Sequence, residues 1–285
     1  MPRILIYEEC VAAGVAGPLG AHLSDELLAE GWTMLAALAA DFAALEDCRV
    51  RVPRARSTRL PDHGRVAWEW VNVAEDVDDM LRREAAAADW TLVIAPECDG
   101  LLTARAEAVL AAGGRLLGPN PAWIALTGDK HRLCETLRVR GVFTPPGIAR
   151  STAQLVTLEL PSELAFPIII KPVDGAGSVE TRRIADRATW HAHLADLVVR
   201  CPADAVWRIE KYQSGRAVSA AFLCGSNGRL RCRRPSSGSS SRRTARCRIT
   251  AERSRCRPTS HAAPKRWPAA RWTPCPPHAA TWGWI

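Results

Sequence analysis

The sequence predicts an α/β protein in three parts: a parallel α/β domain over residues 1–118, an incomplete α+β domain over residues 119–230, and a disordered tail over residues 231–285. In the first part, short apolar runs alternate with amphipathic stretches, which is typical of parallel strands joined by helices. The second part contains a shorter group of strands and helices. After Leu230 the composition changes abruptly, and this change marks the third part.

The elements of the first part follow from periodicity and from capping signals. The expected elements are strands over residues 4–7, 91–96 and 116–118 and helices over residues 32–45, 75–87 and 104–112. The strands are continuous apolar runs, as expected for strands covered on both faces. Thr103 is expected to cap the last helix, and Gly113-Gly114 to end it.

The elements of the second part begin after Gly118-Pro119-Asn120-Pro121, a run that marks a boundary. The expected elements are helices over residues 130–139 and 188–199 and strands over residues 168–171, 207–212 and 218–223. Gly141 is expected to end the first of these helices. No internal repeat is visible.

Charge is distributed unevenly along the chain. The formal net charge is +8, yet residues 231–285 hold twelve Arg, one Lys and one Glu, a net of +12, so residues 1–230 carry −4. The body is therefore mildly acidic, and nucleic-acid binding is not expected of it. Ten cysteines occur without a CxxC pair, which favours reduced thiols over a disulfide framework. The N-terminus does not resemble a signal peptide, no apolar run is long enough for a membrane span, and a cytoplasmic protein is expected.

Lys171 ends an apolar strand and precedes the loop Asp174-Gly175-Ala176-Gly177-Ser178. A lysine in this position can direct its ammonium group at a phosphate, while the glycines Gly175 and Gly177 let backbone N–H groups approach the same oxygens. A surface lysine before a flexible turn is the alternative. The ordered series of strand, cation, glycines and the Ser178 hydroxyl favours the phosphate site, although no Walker A motif is present.

Two further motifs flank this loop. Asp129-Lys130 begins a helix, and Glu210-Lys211-Tyr212-Gln213 ends a strand before Gly215 turns the chain. Alternation along that strand is expected to bury Ile209 and to leave Glu210 available to a ligand. The alternative for Glu210 and Lys211 is an ordinary hairpin with a solvated charge pair.

Together these motifs resemble the nucleotide-binding half of the ATP-grasp superfamily, over roughly residues 90–224, and are most similar to D-alanine–D-alanine ligase and tyramine–glutamate ligase-like proteins. The resemblance implies a pre-ATP-grasp domain over residues 1–118 and an ATP-grasp domain over residues 119–230. It implies that Lys130 and Lys171 contact ATP phosphates and that Gly175, Gly177 and Ser178 form the loop that covers them. It further implies that Glu210 accepts a hydrogen bond from the adenine amino group, that Lys211 lies near the ring, and that Gln213 offers backbone groups to it.

The same resemblance implies a reaction. In such enzymes a carboxylate attacks the γ-phosphate of ATP, and an amine or a thiol captures the acylphosphate, with Mg²⁺ and lysines neutralising charge. The family's magnesium ligands are an Asp, a Glu and an Asn near the C-terminal end of the fold, and this sequence shows no such set. Ala217 lies where the family often has an acid for the ribose, so ribose recognition lacks its usual residue.

Two other patterns do not match a functional motif. Gly14 to Gly20 forms GxxGxxG and not the dinucleotide-binding GxGxxG. The acidic run over residues 75–79 is expected to be a solvated helix face and not a metal site.

The tail is unlike the rest of the chain. Residues 231–285 contain only Ile249 and Ile285 from the set Leu, Ile, Val, Met and Phe, and four of the last nineteen residues are Trp. Such a mixture is expected from a GC-rich gene read in the wrong frame. Shifting the codons of residues 272–285 by one nucleotide permits LDALPPARGYVGVD, which is similar to the ATP-grasp segment leading to the first metal-binding Asp. A frameshift near residues 225–231 is therefore our hypothesis, and it predicts an inactive product. The alternative is a non-catalytic protein whose basic tail binds nucleic acid.

Overall fold

The computed structural model describes residues 1–14, 17–20, 23–58, 60, 67–73, 76–175 and 177–215, and beyond these only the backbone of five short strands. Two sheets organise the described chain up to residue 215. One is wholly parallel and the other wholly antiparallel. The α/β class expected from the sequence is confirmed.

The first unit is built on the parallel sheet, whose strand order is β3-β2-β1-β4. Its elements are β1 (Arg3–Glu8), α1 (Glu9–Ala13), α2 (Asp25–Ala43), β2 (Arg49–Ala55), β3 (Glu69–Val73), α3 (Val77–Ala87), β4 (Trp90–Ile94) and α4 (Leu101–Ala111). The β1 strand is internal, with β2 and β4 on either side. Alternate residues of β1 therefore point into two separate cores: Ile4 and Ile6 pack with α2, and Leu5 and Tyr7 pack with α3.

Capping residues fix where two of these helices begin. The Ser24 side chain accepts from the backbone N–H of Leu27 and starts α2, seven residues before the start that periodicity predicts. Asp76 accepts from two N–H groups of the first turn of α3. The expected strands at residues 4–7 and 91–96 and the helices at 32–45 and 75–87 are confirmed with these adjusted limits.

Other predicted details of the first unit are wrong. Thr103 lies inside α4, which begins at Leu101 after Gly100, a residue with left-handed backbone. Because glycine adopts this conformation without strain, it replaces a side-chain cap. The strand expected at residues 116–118 is a single bridge between Leu116 and Thr91.

The second unit contains an antiparallel sheet in the order β5-β8-β6-β7. Its elements are α5 (Pro121–Gly128), α6 (Lys130–Val139), β5 (Gly147–Ser151), α7 (Thr152–Leu155), β6 (Ile168–Pro172), β7 (Arg182–Ile184), α8 (Arg187–Arg200) and β8 (Val206–Lys211). One face of the sheet is covered by α8, and the core between them includes Ile168, Ile170 and Trp190. The predicted limits of α6 are confirmed.

The helix α5 was not predicted, because Gly118-Pro119-Asn120-Pro121 indicates a boundary. The Asn120 side chain accepts from the N–H of Trp123, and Pro121 occupies the first helical position, which needs no N–H donor. The same proline that marks a boundary therefore also starts a helix. Asp129 separates α5 from α6 and caps the latter.

The five remaining strands are β9 (Val218–Ser219), β10 (Ala221–Cys224), β11 (Leu230–Cys232), β12 (Ser236–Ser237) and β13 (Thr281–Trp284). The β10 strand pairs antiparallel with both β11 and β13, and β9 pairs with β12. The strands β11, β12 and β13 fall in or at the start of the predicted tail, and the rest of the tail lies outside the described residues, so its disorder stays a prediction. Within the described part of the chain, no helix has the length and apolar character that crossing a membrane requires.

Candidate functional site

The candidate site is centred on Lys171, near the end of β6 and beside the central strand β8. Lys171 pairs in register with Arg208, and its Nζ lies 2.5 Å from Oε1 of Glu210. The ammonium group remains partly open to solvent, with 22% of the side chain exposed. Lys171 is therefore held by a carboxylate at a position that a ligand can reach.

Glu210 is more enclosed than the sequence indicates. Ile209 is buried as predicted, but Glu210 on the opposite face of β8 is only 7% exposed. Its second carboxylate oxygen accepts from Nε of Arg208 at 2.7 Å. Each carboxylate oxygen of Glu210 is therefore already paired with a cation, whereas the sequence predicts a carboxylate that is available to a ligand.

Lys130 lies across the glycine-rich loop from β8, at the start of α6. Asp129 caps this helix by accepting from two backbone N–H groups, and the N–H of Lys130 donates to the carbonyl of Val173 at 2.7 Å. Its Nζ donates to the carbonyl oxygens of Asp174 and Gly175 at 2.6 and 2.7 Å. Burial lowers the pKa of the Lys130 ammonium, the carboxylate of Asp174 opposes this shift, and nearby Lys171 reinforces it.

The loop itself has left-handed backbone at three described positions, Gly175, Gly177 and Ser178, with φ of 81°, 67° and 59°. Gly177 and Ser178 are exposed, while Gly175 is tied down. The N–H of Gly175 donates to the carbonyl of Glu97 at 2.7 Å, in the segment that follows β4. The loop thus has an anchored start and an exposed tip.

The structure brings Lys130, Lys171, Gly175 and Glu210 together, and two other predicted residues, Lys211 and Gln213, follow Glu210 along the chain. Lys211 and Gln213 are exposed, and among the described residues no hydrogen bond joins their side chains to this cluster. The backbone N–H of Lys211 donates to the carbonyl of Pro146. Ala217, the position expected near the ribose, lies outside the described residues.

Sequence reasoning missed Arg208 and His131. Arg208 is completely buried; its Nη1 donates to Nδ1 of His131 at 2.7 Å and its Nη2 donates to the carbonyl of Pro145 at 2.9 Å. A signal was present, because residues two apart on a strand share a face and Arg208 and Glu210 have opposite charges.

A second group of buried charges lies in the first unit, at the end of β1. Arg105 donates from Nε and Nη2 to the two oxygens of Glu9 at 2.7 and 2.9 Å, and the Tyr7 hydroxyl donates to Glu9 at 2.8 Å. Asp78 of the acidic stretch also pairs with Arg105. No group of three or more His, Cys, Asp and Glu suited to a metal occurs among the described residues.

Glu8 differs from Glu9 because no cationic side chain of the described residues pairs with it. Its two oxygens accept from the backbone N–H groups of Cys10 and Val11 at 3.2 and 2.8 Å and cap α1. Burial raises the pKa of Glu8 to about 7, although these hydrogen bonds oppose the shift. Gly31 of α2 packs against the same carboxylate, because a Cβ there would lie 2.5 Å from Oε1.

Known proteins have sequences similar to parts of this chain. Residues 50–124 match the pre ATP-grasp 3 domain. The carbamoyl phosphate synthase large chain of Mesorhizobium japonicum is 32% identical over 126 residues, which are 44% of this chain and 11% of that protein. The chain thus spans about a tenth of the length of this curated relative.

Solved structures show the same arrangement of units. D-alanine–D-alanine ligase from Bacillus anthracis, complexed with ATP, superposes with a TM-score of 0.56 at 16% identity, covering 86% of this chain and 68% of that one. An ATP-grasp superfamily protein from Archaeoglobus fulgidus gives a TM-score of 0.53 at 18% identity, covering 81% and 59%. The described chain therefore shares its fold, a parallel unit followed by an antiparallel unit, with these two solved structures.

Proposed function

We propose that the chain binds ATP at the site formed by Lys130, Lys171 and the loop beginning at Gly175. The single observation that supports this most strongly is the proximity of two lysines from different elements at one glycine-containing loop: Lys130 donates to the loop carbonyls, and Lys171, whose charge lowers the pKa of Lys130, lies on the strand that leads into the loop. Their present partners are loop carbonyls and one carboxylate. Phosphate oxygens are stronger acceptors than carbonyls, so a polyphosphate can replace these partners without new cations being needed.

The remaining roles are proposed from the family resemblance. Gly177 and Ser178, at the exposed tip of the loop, would cover the phosphates together with Gly175. Glu210 would accept from the adenine amino group, since a carboxylate oxygen has lone pairs beyond the one used by its present partner. Lys211 would lie near the ring, and the backbone of Gln213 would face it.

The proposed reaction is ATP-dependent ligation of a carboxylate to an amine or a thiol. The carboxylate attacks the γ-phosphorus, the bond to ADP breaks, and the nucleophile then displaces phosphate from the acylphosphate. The chain's part in this scheme is to orient the phosphates and to neutralise their charge with its lysines. We further propose that the unit over residues 1–118 contributes to substrate binding, that the ATP-grasp unit occupies residues 119–230, and that the protein is cytoplasmic.

The described residues and residues 231–285 do not supply the set of oxygen ligands that the magnesium ion of such a reaction requires. No suitable cluster occurs among the described residues, and residues 231–285 contain no Asp, no Asn and only Glu252. Mg²⁺ prefers carboxylate and amide oxygens, so this segment does not fit it. We therefore propose that the chain as written binds nucleotide without turnover, in keeping with a frameshift before the tail.

Calorimetric titration of the full chain with ATP tests the binding site. Replacing Lys130 or Lys171 with Met is expected to weaken binding by about tenfold or more, the usual effect of losing a charged hydrogen bond. Arg132→Met is the matched control, since Arg132 is an exposed cation on the same helix as Lys130. Absence of ATP binding, or an equal loss in the control, would reject the site.

Two further measurements separate the alternatives for the tail. Mg²⁺-dependent release of ADP by the purified chain would reject the inactive product, and resequencing the gene from the codon for Phe222 tests the frameshift directly. The nucleic-acid alternative rests on the net charge of +12 over residues 231–285. It requires salt-dependent DNA binding that deletion of those residues abolishes.

A further inference from the structure

We propose that Arg208 is the positioning residue of this site, acting as a permanent partner for Glu210 that frees Lys171 to bind an anion. The inference rests on the proposed nucleotide function and deepens it. Nothing in the sequence motifs assigns Arg208 a role. The structure does so through its contacts and through the charge of the group it belongs to.

Every nitrogen of the Arg208 guanidinium is in use. Nε donates to Glu210 at 2.7 Å, Nη1 to Nδ1 of His131 at 2.7 Å, and Nη2 to the carbonyl of Pro145 at 2.9 Å. Gly147 on the neighbouring strand leaves room for this arrangement, because a Cβ there would lie 3.0 Å from Nη2 and 2.9 Å from the Cβ of Glu210. Arg208 is completely buried and fixed in place from three sides.

Lys171 differs from Arg208 in mobility and access. Its side chain is 22% exposed, whereas that of Arg208 is 1% exposed. A lysine carries a compact charge on a flexible stem. An arginine carries a rigid planar group, so moving it breaks all of its hydrogen bonds at once. Of the two cations beside Glu210, Lys171 is therefore the one that can move to a ligand.

The charge balance explains why both cations are needed. Lys171 and Arg208 are positive and Glu210 is negative. The group thus has one positive charge in excess. A buried carboxylate that loses its only counter-ion is strongly destabilised. With Arg208 present, Glu210 keeps a partner when Lys171 turns to a phosphate.

The proposal predicts a defect that is specific for phosphates. In Arg208→Met the carboxylate would retain Lys171, so ADP binding should weaken by on the order of tenfold or more, as for loss of a charged hydrogen bond. Adenosine has no phosphate, and its affinity should change far less. The readout is therefore the dissociation constant of adenosine divided by that of ADP, measured by calorimetry on the full chain. Arg208→Met should lower this ratio. A general structural defect would weaken both ligands and leave this ratio unchanged.

A second pair of variants keeps the test independent of whether Arg208→Met folds. In Glu210→Gln no buried carboxylate competes for Lys171, so the ratio should equal or exceed that of the wild type. The double variant Arg208→Met/Glu210→Gln removes both partners of one ion pair and should show the same ratio as Glu210→Gln. Comparison of these variants forms a double-mutant cycle that isolates the effect of Arg208 exerted through Glu210.

The outcomes distinguish this inference from the proposed function. If wild-type protein binds neither ATP nor ADP, the nucleotide site itself is rejected, and the inference with it. If wild-type protein binds ADP but Arg208→Met folds and leaves the ratio unchanged, the inference alone is rejected. It is also rejected if the double variant has a lower ratio than Glu210→Gln, because Arg208 would then contact the phosphates directly.

Discussion

Replacing Glu8 with Gln is expected to remove a pH-dependent part of the free energy of unfolding. Glu8 is 2% exposed at the end of β1, and burial raises its pKa from 4.5 to about 7. Between these two values the native protein binds more protons than the unfolded chain. The contribution of Glu8 is therefore fully present below about pH 4.5 and is lost as the pH rises through about 7.

The size of this effect follows from the same two pKa values. Each pH unit between them corresponds to about 1.4 kcal/mol, so the whole interval amounts to roughly 3 kcal/mol. Glu8→Gln cannot ionise, although it loses one of the two acceptors that cap α1. The variant should therefore be less stable than the wild type at pH 5 and should gain relative to it by pH 8.

Urea unfolding followed by tryptophan fluorescence between pH 5 and pH 8 measures this difference. Glu30→Gln is the matched control, because Glu30 is an exposed glutamate on α2. Its difference from the wild type should stay nearly constant with pH. A difference between wild type and Glu8→Gln that is independent of pH, or that changes in the opposite direction, would refute the reasoning.

Three further predictions concern buried contacts of both units. Gly31→Ala should lower the thermal unfolding midpoint despite alanine's better helix propensity, because its Cβ would lie 2.5 Å from Oε1 of the fixed Glu8 carboxylate; a variant as stable as the wild type would contradict this. Lys130→Met should speed hydrogen exchange of the glycine-containing loop, since two hydrogen bonds to loop carbonyls are lost; unchanged exchange rates would count against it. Arg105→Met should reduce the free energy of unfolding by about 3–5 kcal/mol in urea titrations, because Glu9 would remain buried without its cation; a loss below about 1 kcal/mol, the range of surface ion pairs, would contradict the assignment.

The fold was largely predictable where strands are apolar on both faces. The apolar runs 4–6 in β1, 92–94 in β4 and 168–170 in β6 have no polar interruption, and the positions of these strands follow from that. The strands β2 and β3 were missed because arginine and proline in β2, and polar residues in β3, weaken the apolar signal. In β2 the alternation of Val50 and Val52 with arginines was nevertheless the pattern of a strand with one covered face.

The sequence predicted which segments form the site but not how their side chains pair. The order of motifs indicated one site for Lys130, Lys171 and the loop, and the structure places Lys130 against the loop carbonyls. Local sequence could not show that both oxygens of Glu210 are already paired. One partner, Lys171, comes from β6, and the other, Arg208, lies two residues away on β8. The spacing of Arg208 and Glu210 on one face of β8 was a local signal for their pairing, whereas the other partners of Arg208, His131 and Pro145, come from distant segments.

The glycine-containing loop also joins the two units. Gly175 donates to the carbonyl of Glu97, and the N–H of Asp99 donates to the carboxylate of Asp174 at 3.1 Å. Both contacts connect the loop to the segment after β4, at the edge of the parallel sheet. Separating the units must therefore break the same bonds that hold the start of the loop. Movement of the start of the loop and parting of the two units are therefore coupled, and a distance probe between the units would report the state of the loop.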